Sequence, residues 1–213
     1  MAAPLLFGAA YSVYVRAVRL ALAEKGVAYQ LIEVDVFAAG GPLPGYLDRH
    51  PFSRIPAFEH DGFRLYESGA ISRYVDEAFA GPPLQPDDPR VRARMNQVLS
   101  VLDSYVYRTL VWDIFVERVR APATGRPPDE ARIAAALPKA ETCLQALHAL
   151  MGDGPWLAGG MLTLADLHAW PMFACFRRAE EGRSLLARHP ALGRWWQSMA
   201  ERDSIAATRS PLD

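Results

Sequence analysis

The sequence predicts a small α/β domain followed by an all-helical domain, and three observations support this fold class. Strand and helix patterns alternate over roughly the first 80 of its 213 residues. The segment GPPLQPDDP, residues 81–89, then has the proline-rich, acidic composition of a linker. Beyond it the apolar residues repeat only at helical spacing. We therefore place one domain at residues 1–80 and the other at residues 90–213.

The first domain is predicted to follow the order β-α-β-α-β-β-α. A short apolar run around residues 4–8 is typical of a strand. Val15, Val18 and Leu22 then repeat at helical spacing. Asp61-Gly62 favours a tight hairpin turn. The remaining elements are a strand over Ala28–Val36, a short helix over Tyr46–His50, hairpin strands at Ile55–Glu59 and Phe63–Tyr66, and a helix over Ser68–Phe79.

The second domain is predicted to consist of helices. They cover about Arg90–Arg120, Asp129–Met151 and Pro190–Arg202. Pro138 should kink the middle helix or move its start, because proline cannot donate a helical hydrogen bond. Thr163 and Asp166 have the spacing of a capping box, which we interpret as folding information and not as catalysis.

Composition excludes several classes of function. A formal net charge of −1 provides no general attraction to nucleic acid or to an anionic membrane. The longest apolar runs are too short to span a membrane, and no secretory signal is visible. Cys143 and Cys175 lie far apart, which excludes a disulfide framework and fits a cytoplasmic protein. The histidines show no metal-binding spacing, so no metal is expected.

Three short features allow both a structural and a functional interpretation. Ser12, at a strand-to-helix junction, is a good N-cap, but a helix start also favours a thiolate. Ile55-Pro56 precedes a strand, and a cis bond there would expose the backbone groups of Ile55. Ser68 opens a helix as a cap or as a binder of a carboxylate, and Glu67 is a solvated acid or an acceptor for an ammonium. Each feature alone favours the structural interpretation.

Taken together, these features resemble a cytosolic glutathione S-transferase. The chain is most similar to the serine-type members, especially the phi-like and bacterial group, in which NPFGQVPAF and ESRAI stand at the corresponding places. The resemblance implies a thioredoxin-like N-terminal domain that binds glutathione, an all-helical C-terminal domain that completes a second pocket, and a cis-proline at Pro56. It covers essentially the whole chain and is densest in YSVYVRAVRLALAEKGVAY, HPFSRIPAF, FRLYESGAISRYV, LTLADL and HPALGRWWQSM.

The resemblance also assigns roles to individual residues at the sulfur end of the site. The hydroxyl of Ser12 would hydrogen-bond to the glutathione thiolate, and Tyr14 is the second choice for this role. Ile55, which precedes Pro56, would pair its backbone with the cysteinyl part of the tripeptide.

The two ends of glutathione would be held differently. Glu67 and Ser68 would bind the ammonium and the carboxylate of the γ-glutamyl group. Arg54 replaces a common glutamine and offers a polar contact. Relatives often hold the glycyl carboxylate with basic side chains from the loop that here is AAGGPLPG, residues 38–45, which has none. The alternatives are that glutathione binds more weakly or that Arg49 or Arg54 substitutes as the partner of that carboxylate.

The same resemblance suggests a pocket for the second substrate and a dimer contact. Phe52 is similar to an aromatic residue that some classes insert into the partner subunit, so a homodimer is expected. The candidates for the second-substrate pocket are Ala10, Tyr11, Tyr107, Trp112 and Phe115.

The predicted function is therefore conjugation of the glutathione thiolate to an electrophilic, largely apolar small molecule, as in cytoplasmic detoxification. Glutathione is a co-substrate, and no tightly bound cofactor is expected. One alternative is a glutathione-dependent isomerase, dehalogenase or peroxidase on the same fold. Another is a non-catalytic module that binds glutathione or another ligand. Thiol exchange normally requires cysteine at the position of Ser12, which argues against that reaction.

Overall fold

The computed structural model describes residues 2–38 and 40–210. Contacts within the chain divide it into two compact units. One unit runs to Gln85 and also contains the segment that begins at Asp203, and the other covers Pro86–Arg202. The first contains a mixed four-stranded sheet and the second is built from helices, so the predicted fold class is confirmed.

The sheet of the first unit combines parallel and antiparallel pairing. Its strands are β1 (Leu5–Phe7), β2 (Gln30–Ile32), β3 (Ala57–His60) and β4 (Phe63–Tyr66), in the spatial order β2-β1-β3-β4. β1 is parallel to β2 and antiparallel to β3, and β3 is antiparallel to β4. β2 is shorter than the predicted strand Ala28–Val36, because only its three residues find partners on the equally short β1.

The hairpin between β3 and β4 turns at the predicted residues. Asp61 has φ 48° and Gly62 has φ 81°. Positive φ at both central residues is what a two-residue type I′ turn requires, and its twist matches that of the flanking strands. The Asp-Gly signal therefore predicted the position of the turn correctly.

Helices make up most of the described chain. They are α1 (Val13–Glu24), α2 (Ser68–Ala78), α3 (Pro89–Val101), α4 (Ala121–Ala123), α5 (Glu130–Met151), α6 (Leu164–Phe176), α7 (Glu180–Leu186), α8 (Pro190–Ala200) and α9 (Asp203–Ala207). α1 packs against α2, and α9 also packs on α1, where the Ser204 hydroxyl donates to Glu24. A single 3₁₀ turn, Tyr46–Asp48, stands where the short helix is predicted. Within the described residues, no helix has the length and apolar character needed to cross a membrane.

The long helix predicted over Arg90–Arg120 changes its hydrogen bonding midway. Leu102–Arg120 is a π-helical segment that joins α3 to α4, and the Ala121 N–H donates to the carbonyl of Val116, five residues earlier. Long π-helical runs are rare. The apolar pattern predicts a helix here but does not distinguish a bond four residues back from one five residues back.

Two other helices differ in detail from the prediction. Pro138 lies inside α5, so the proline does not mark the start of that helix. α7 is absent from the prediction, because the mixed charges of Arg177–Arg183 indicate only a solvated face. Its buried Leu185 and Leu186 supply the apolar contacts that hold it.

The predicted capping box is present at the start of α6. Asp166 is fully buried and accepts hydrogen bonds from the N–H groups of Leu157 (2.8 Å) and Thr163 (2.8 Å) and from the indole of Trp195 (2.9 Å). Burial raises the pKa of Asp166, and these hydrogen bonds oppose that rise. Every partner belongs to the helical unit, so the role of this carboxyl is structural, as the sequence suggests.

A small apolar cluster supports the loop that precedes β3. Phe7, Val34, Tyr46 and Ala57 form it. The Tyr46 hydroxyl donates to the carbonyl of Arg54 at 2.7 Å, and burial raises the pKa of this phenol. This hydrogen bond fixes the backbone one residue before Ile55.

A buried ion pair ties the linker segment to the first unit. The Lys25 ammonium lies 3.1 Å from Asp76, with the two side chains 3% and 7% exposed. The ammonium also donates to the carbonyl of Pro82 at 3.1 Å, and Asp76 accepts from the Leu84 N–H at 2.8 Å. The ends of α1 and α2 and the residues that follow them thus share one polar cluster.

Replacing Lys25 with methionine should lower the free energy of unfolding by about 3 kcal/mol, because Asp76 is then buried without its cation. Urea unfolding followed by circular dichroism measures this loss. The matched control is Arg64→Met, since Arg64 pairs with Glu59 at 3.0 Å but is half exposed. It should change stability by less than about 1 kcal/mol. Equal losses in the two variants would contradict a special role for the buried pair.

Candidate functional site

Four strand ends meet at one edge of the sheet. Parallel pairing brings the carboxyl ends of β1 and β2 to the same edge, and antiparallel pairing adds the start of β3 and the end of β4. We call this the site edge: residues 8–12 after β1, 54–56 before β3, 67–68 after β4, and 33–38 with 40–45 after β2. The three features that were ambiguous in the sequence, at Ser12, Ile55 and Glu67, all lie on it.

Ser12 is the N-cap of α1. Its backbone is extended, with φ −73° and ψ 129°, and its Oγ accepts a hydrogen bond from the Val15 N–H at 3.4 Å. That distance is long for a hydrogen bond, so the cap is weak. An oxygen that accepts this bond keeps its own proton for donation. The half-buried hydroxyl can therefore cap the helix and donate to an anion at the same time.

The two tyrosines that flank Ser12 lie in different surroundings. Tyr14 is half-buried within the first turn of α1. The Tyr11 hydroxyl donates to Asp35 at 2.6 Å, and the Phe37 N–H donates to the same carboxylate at 2.9 Å. The Tyr11 bond, followed by the Phe37 bond, lowers the pKa of Asp35. Tyr11 is thus joined to the loop after β2.

The Ile55–Pro56 peptide bond is cis, as the resemblance implies. Ile55 is half-buried and lies before the first residue of the β3 ladder, which pairs with β1 from Ala57 onward. The backbone of Ile55 is therefore available to an extended ligand lying along the site edge. Arg54 is exposed beside it.

Glu67 has a backbone conformation that non-glycine residues rarely adopt. Its φ is 71° and its ψ is 112°, and its side chain is exposed. Such strain costs about 1–3 kcal/mol and is often found at binding sites. α2 begins at Ser68, so Glu67 and not Ser68 occupies the N-cap position, and Glu67 makes no side-chain cap bond. Ser68 is a buried first-turn residue, which corrects the interpretation of its hydroxyl as an N-cap.

Sequence reasoning overlooked His50. Its side chain is 2% exposed, and its ring lies 4.9 Å from that of Tyr66 between centroids. Burial lowers the pKa of His50, Glu67 opposes this effect and Arg54 adds to it. His50 therefore lies within electrostatic range of both Glu67 and Arg54. A histidine where similar sequences carry asparagine was the signal in HPFSRIPAF.

The candidates for a second-substrate pocket are distributed over the two units. Ala10 and Tyr11 are half-buried in the first unit. Tyr107 and Trp112 are half-buried in the second, with their rings perpendicular and 6.5 Å apart. Phe115 is only 2% exposed and packs in the helical unit, so its place in a pocket stays a prediction. Its place on the helix puts it on the buried face.

Phe52 is an exposed aromatic residue on the first unit. Its side chain is 67% exposed, and its ring contacts that of Tyr66 edge to face at 6.2 Å.

Among the described residues, no cluster of three or more histidine, cysteine or carboxylate side chains could hold a metal ion. Both cysteines are buried.

Comparison with known proteins identifies relatives of both halves of the chain. Residues 6–83 match the family model described as "Glutathione S-transferase, N-terminal domain", and residues 77–203 match "Glutathione S-transferase, C-terminal domain". Glutathione S-transferase 4 of Zea mays is 31% identical over 197 residues, which are 92% of this chain and 87% of that protein.

Solved structures agree with this result. Glutathione transferase F7 from Populus trichocarpa superimposes with a TM-score of 0.85 at 28% identity, covering 96% of this chain and 97% of the other. Glutathione S-transferase I from maize, in complex with an atrazine glutathione conjugate, has a TM-score of 0.85 at 26% identity, with 97% and 96% covered.

The strain at Glu67 can be measured with two variants that both remove the carboxylate. Glu67→Gly should be more stable than Glu67→Ala by about 1 kcal/mol, because only glycine adopts positive φ without a steric penalty. Urea unfolding of the two variants gives the difference. At Ala70, an exposed position within α2, the order should be opposite: Ala70→Gly should be less stable than the wild type, because glycine is unfavourable inside a helix. A Glu67→Ala variant as stable as Glu67→Gly would show that the backbone there is not strained.

Proposed function

Because the chain belongs to the glutathione S-transferase family, we propose that it conjugates the glutathione thiolate to an electrophilic, largely apolar small molecule. The observation that carries this proposal is the placement of Ser12, at the start of α1, on the same sheet edge as Ile55 and Glu67. A tripeptide with a thiol at its centre and an α-amino acid at one end matches these three positions.

Ser12 stabilises the thiolate in this proposal. The start of α1 carries a partial positive charge, which favours an anionic sulfur. The Ser12 hydroxyl accepts from Val15 and donates its proton to the sulfur. Both effects lower the pKa of the bound thiol, so that more of it is ionised at neutral pH. The sulfur then attacks the electrophilic carbon of the second substrate, held next to it by the protein. A C–S bond forms, and the bond from that carbon to its leaving group, a halide in an aryl halide, breaks as the leaving group departs with the electron pair.

The backbone and the second helix hold the rest of the tripeptide. Ile55 pairs with the cysteinyl unit through its backbone, and the cis bond to Pro56 fixes its orientation. Glu67 accepts from the γ-glutamyl ammonium. The Ser68 hydroxyl and the free N–H groups at the start of α2 bind the neighbouring carboxylate. Arg54 supplies a further polar contact at this end.

The second substrate is apolar in this proposal. Ala10 and Tyr11, both half-buried in the first unit, are the residues that contact it. The maize enzyme with an atrazine glutathione conjugate supports a small aromatic or heteroaromatic electrophile. We place the chain among the serine-type, phi-like members, which the likeness to glutathione transferase F7 supports. Serine in place of cysteine at position 12 favours conjugation over thiol exchange.

The protein is a cytoplasmic homodimer in this proposal. Phe52 projects from the first unit with two-thirds of its surface exposed. Exposed large aromatic side chains are common anchors of protein interfaces. Phe52 inserts into a second copy of the chain, and Tyr66 supports its ring.

Replacing Ser12 with alanine should raise the pKa of bound glutathione and lower kcat/KM about tenfold for each pKa unit. Glutathione binding, measured by isothermal titration, should change little, because the γ-glutamyl contacts remain. The thiol pKa follows from ultraviolet absorbance of the thiolate in a pH titration. Turnover is measured with an aryl halide electrophile.

Loss of the helix cap is the competing explanation for any effect of Ser12→Ala. Loss of the cap in Ser12→Ala should lower the free energy of unfolding by about 1 kcal/mol. Ser12→Asp keeps a cap acceptor but, as a carboxylate, has no proton to donate to the sulfur, so it should be at least as inactive as Ser12→Ala and more stable. A fully active Ser12→Asp variant, or wild-type protein that binds no glutathione at millimolar concentration, would refute the proposal.

Replacing Phe52 with alanine should shift the protein from dimer to monomer in sedimentation velocity, because the interface loses its aromatic anchor. Phe63→Ala is the matched control, since Phe63 is 51% exposed on the neighbouring hairpin. It should leave the dimer intact. Wild-type protein that sediments as a monomer would show that Phe52 has another role.

A further inference from the structure

The order of the strands determines where each part of glutathione lies. In the proposed function, the γ-glutamyl group is held after β4, the cysteinyl backbone before β3, and the sulfur after β1. The sheet order is β4-β3-β1-β2 in that direction. Neighbouring strands are about 4.8 Å apart, so the three steps from β4 to β2 span about 14 Å. An extended tripeptide with a γ-linkage has a similar reach.

The third unit of the tripeptide therefore lies beside the loop that follows β2. Residues 33–45 contain two carboxylates, Glu33 and Asp35, and no lysine, arginine or histidine. Asp35 is held as an anion on the site edge by the Tyr11 hydroxyl at 2.6 Å and the Phe37 N–H at 2.9 Å. A glycyl carboxylate beside this loop would therefore be repelled by the negative charge of Asp35.

The two arginines nearest in sequence to this loop lie elsewhere. The Arg49 guanidinium lies 4.5 Å above the ring of Phe7 and pairs with Glu59 at 3.4 Å. Arg54 is exposed just before β3, and β1 separates β3 from β2 in the sheet.

We propose that this site accepts γ-glutamyl-cysteinyl thiols whose third unit is uncharged at least as well as it accepts glutathione. The loop after β2, with Asp35 at its start, is the element that determines this specificity. The inference rests on the proposed function, because it uses the same direction of the tripeptide along the site edge. It differs from that function in the co-substrate it predicts.

The test compares glutathione with its glycyl monoethyl ester, which is identical except for the missing charge. The ratio of kcat/KM for the ester to that for glutathione should lie between about 1 and 5, the range expected for one exposed charge interaction. Added salt should bring this ratio closer to 1, because it screens the repulsion that only glutathione meets, whereas the contacts of the γ-glutamyl group are the same in both thiols. An ester reproducibly worse than glutathione would overturn the inference.

Variants of the loop separate charge from shape. A Cβ added at Gly40 would meet no atom of the described residues within 4 Å, so there is space for a side chain. Gly40→Lys should shift the preference toward glutathione by about 2- to 5-fold, and Gly40→Gln should not. Asp35→Asn should shift it in the same direction, because it removes the repelling charge. Unchanged ratios in both Gly40→Lys and Asp35→Asn would contradict the placement of the third unit.

Arg54→Gln distinguishes the remaining alternative. If Arg54 held the glycyl carboxylate, this variant would lose affinity for glutathione and not for the ester, which would overturn the inference. We expect equal effects on the two thiols. Isothermal titration with both thiols measures the preference without turnover. The two possible failures give different results. If the proposed function is wrong, neither thiol is conjugated. If only this inference is wrong, both thiols are conjugated but the charged one is preferred.

Discussion

The mixed pairing of β1 is the constraint on which the rest of the site depends. β1 is parallel to β2 and antiparallel to β3, and this arrangement turns four chain ends toward one edge of a small sheet. Backbone hydrogen bonds of the ladder hold these ends at nearly fixed spacing. Ser12, Ile55 and Glu67 need no direct contact with one another, because each is positioned by the strand beside it. A ligand can then be recognised along a line by groups distant in sequence.

Polar groups buried away from this edge hold the frame in place. Lys25 and Asp76 join the ends of α1 and α2 to the linker segment, and Asp166 joins the start of α6 to Trp195. Each charged group is surrounded by hydrogen bonds, which is the condition for burying charge without a large loss of stability. These residues carry charge but belong to the architecture, whereas the charges on the site edge are exposed and free to meet a ligand.

Two residues of the site edge, Ser12 and Glu67, have local structures that are explained better together with a bound ligand than by the fold alone. In the proposed function, Ser12 serves a helix and an anion with the same oxygen, which is possible because a hydroxyl both accepts and donates. Glu67 has a strained backbone that glycine would relieve, and in the same proposal its exposed carboxylate binds the ammonium of the ligand. At the other end, Asp35 is fixed by Tyr11 and Phe37, so the loop after β2 presents negative charge. Charge along the edge therefore differs between the two ends of the proposed tripeptide.

The sequence by itself determined the fold class, the turn at Asp61-Gly62 and the capping box at Thr163, because each depends on contacts between near neighbours. It also indicated Ser12, Ile55-Pro56 and Glu67-Ser68 as candidates, but only jointly and through their resemblance to a family. Tertiary structure decided what depends on distant residues. β2 was limited to three residues by its partner strand, and Phe115 was buried in the helical core. The Tyr11–Asp35 hydrogen bond and the position of His50 arise from packing between segments far apart in the chain, which no local pattern encodes.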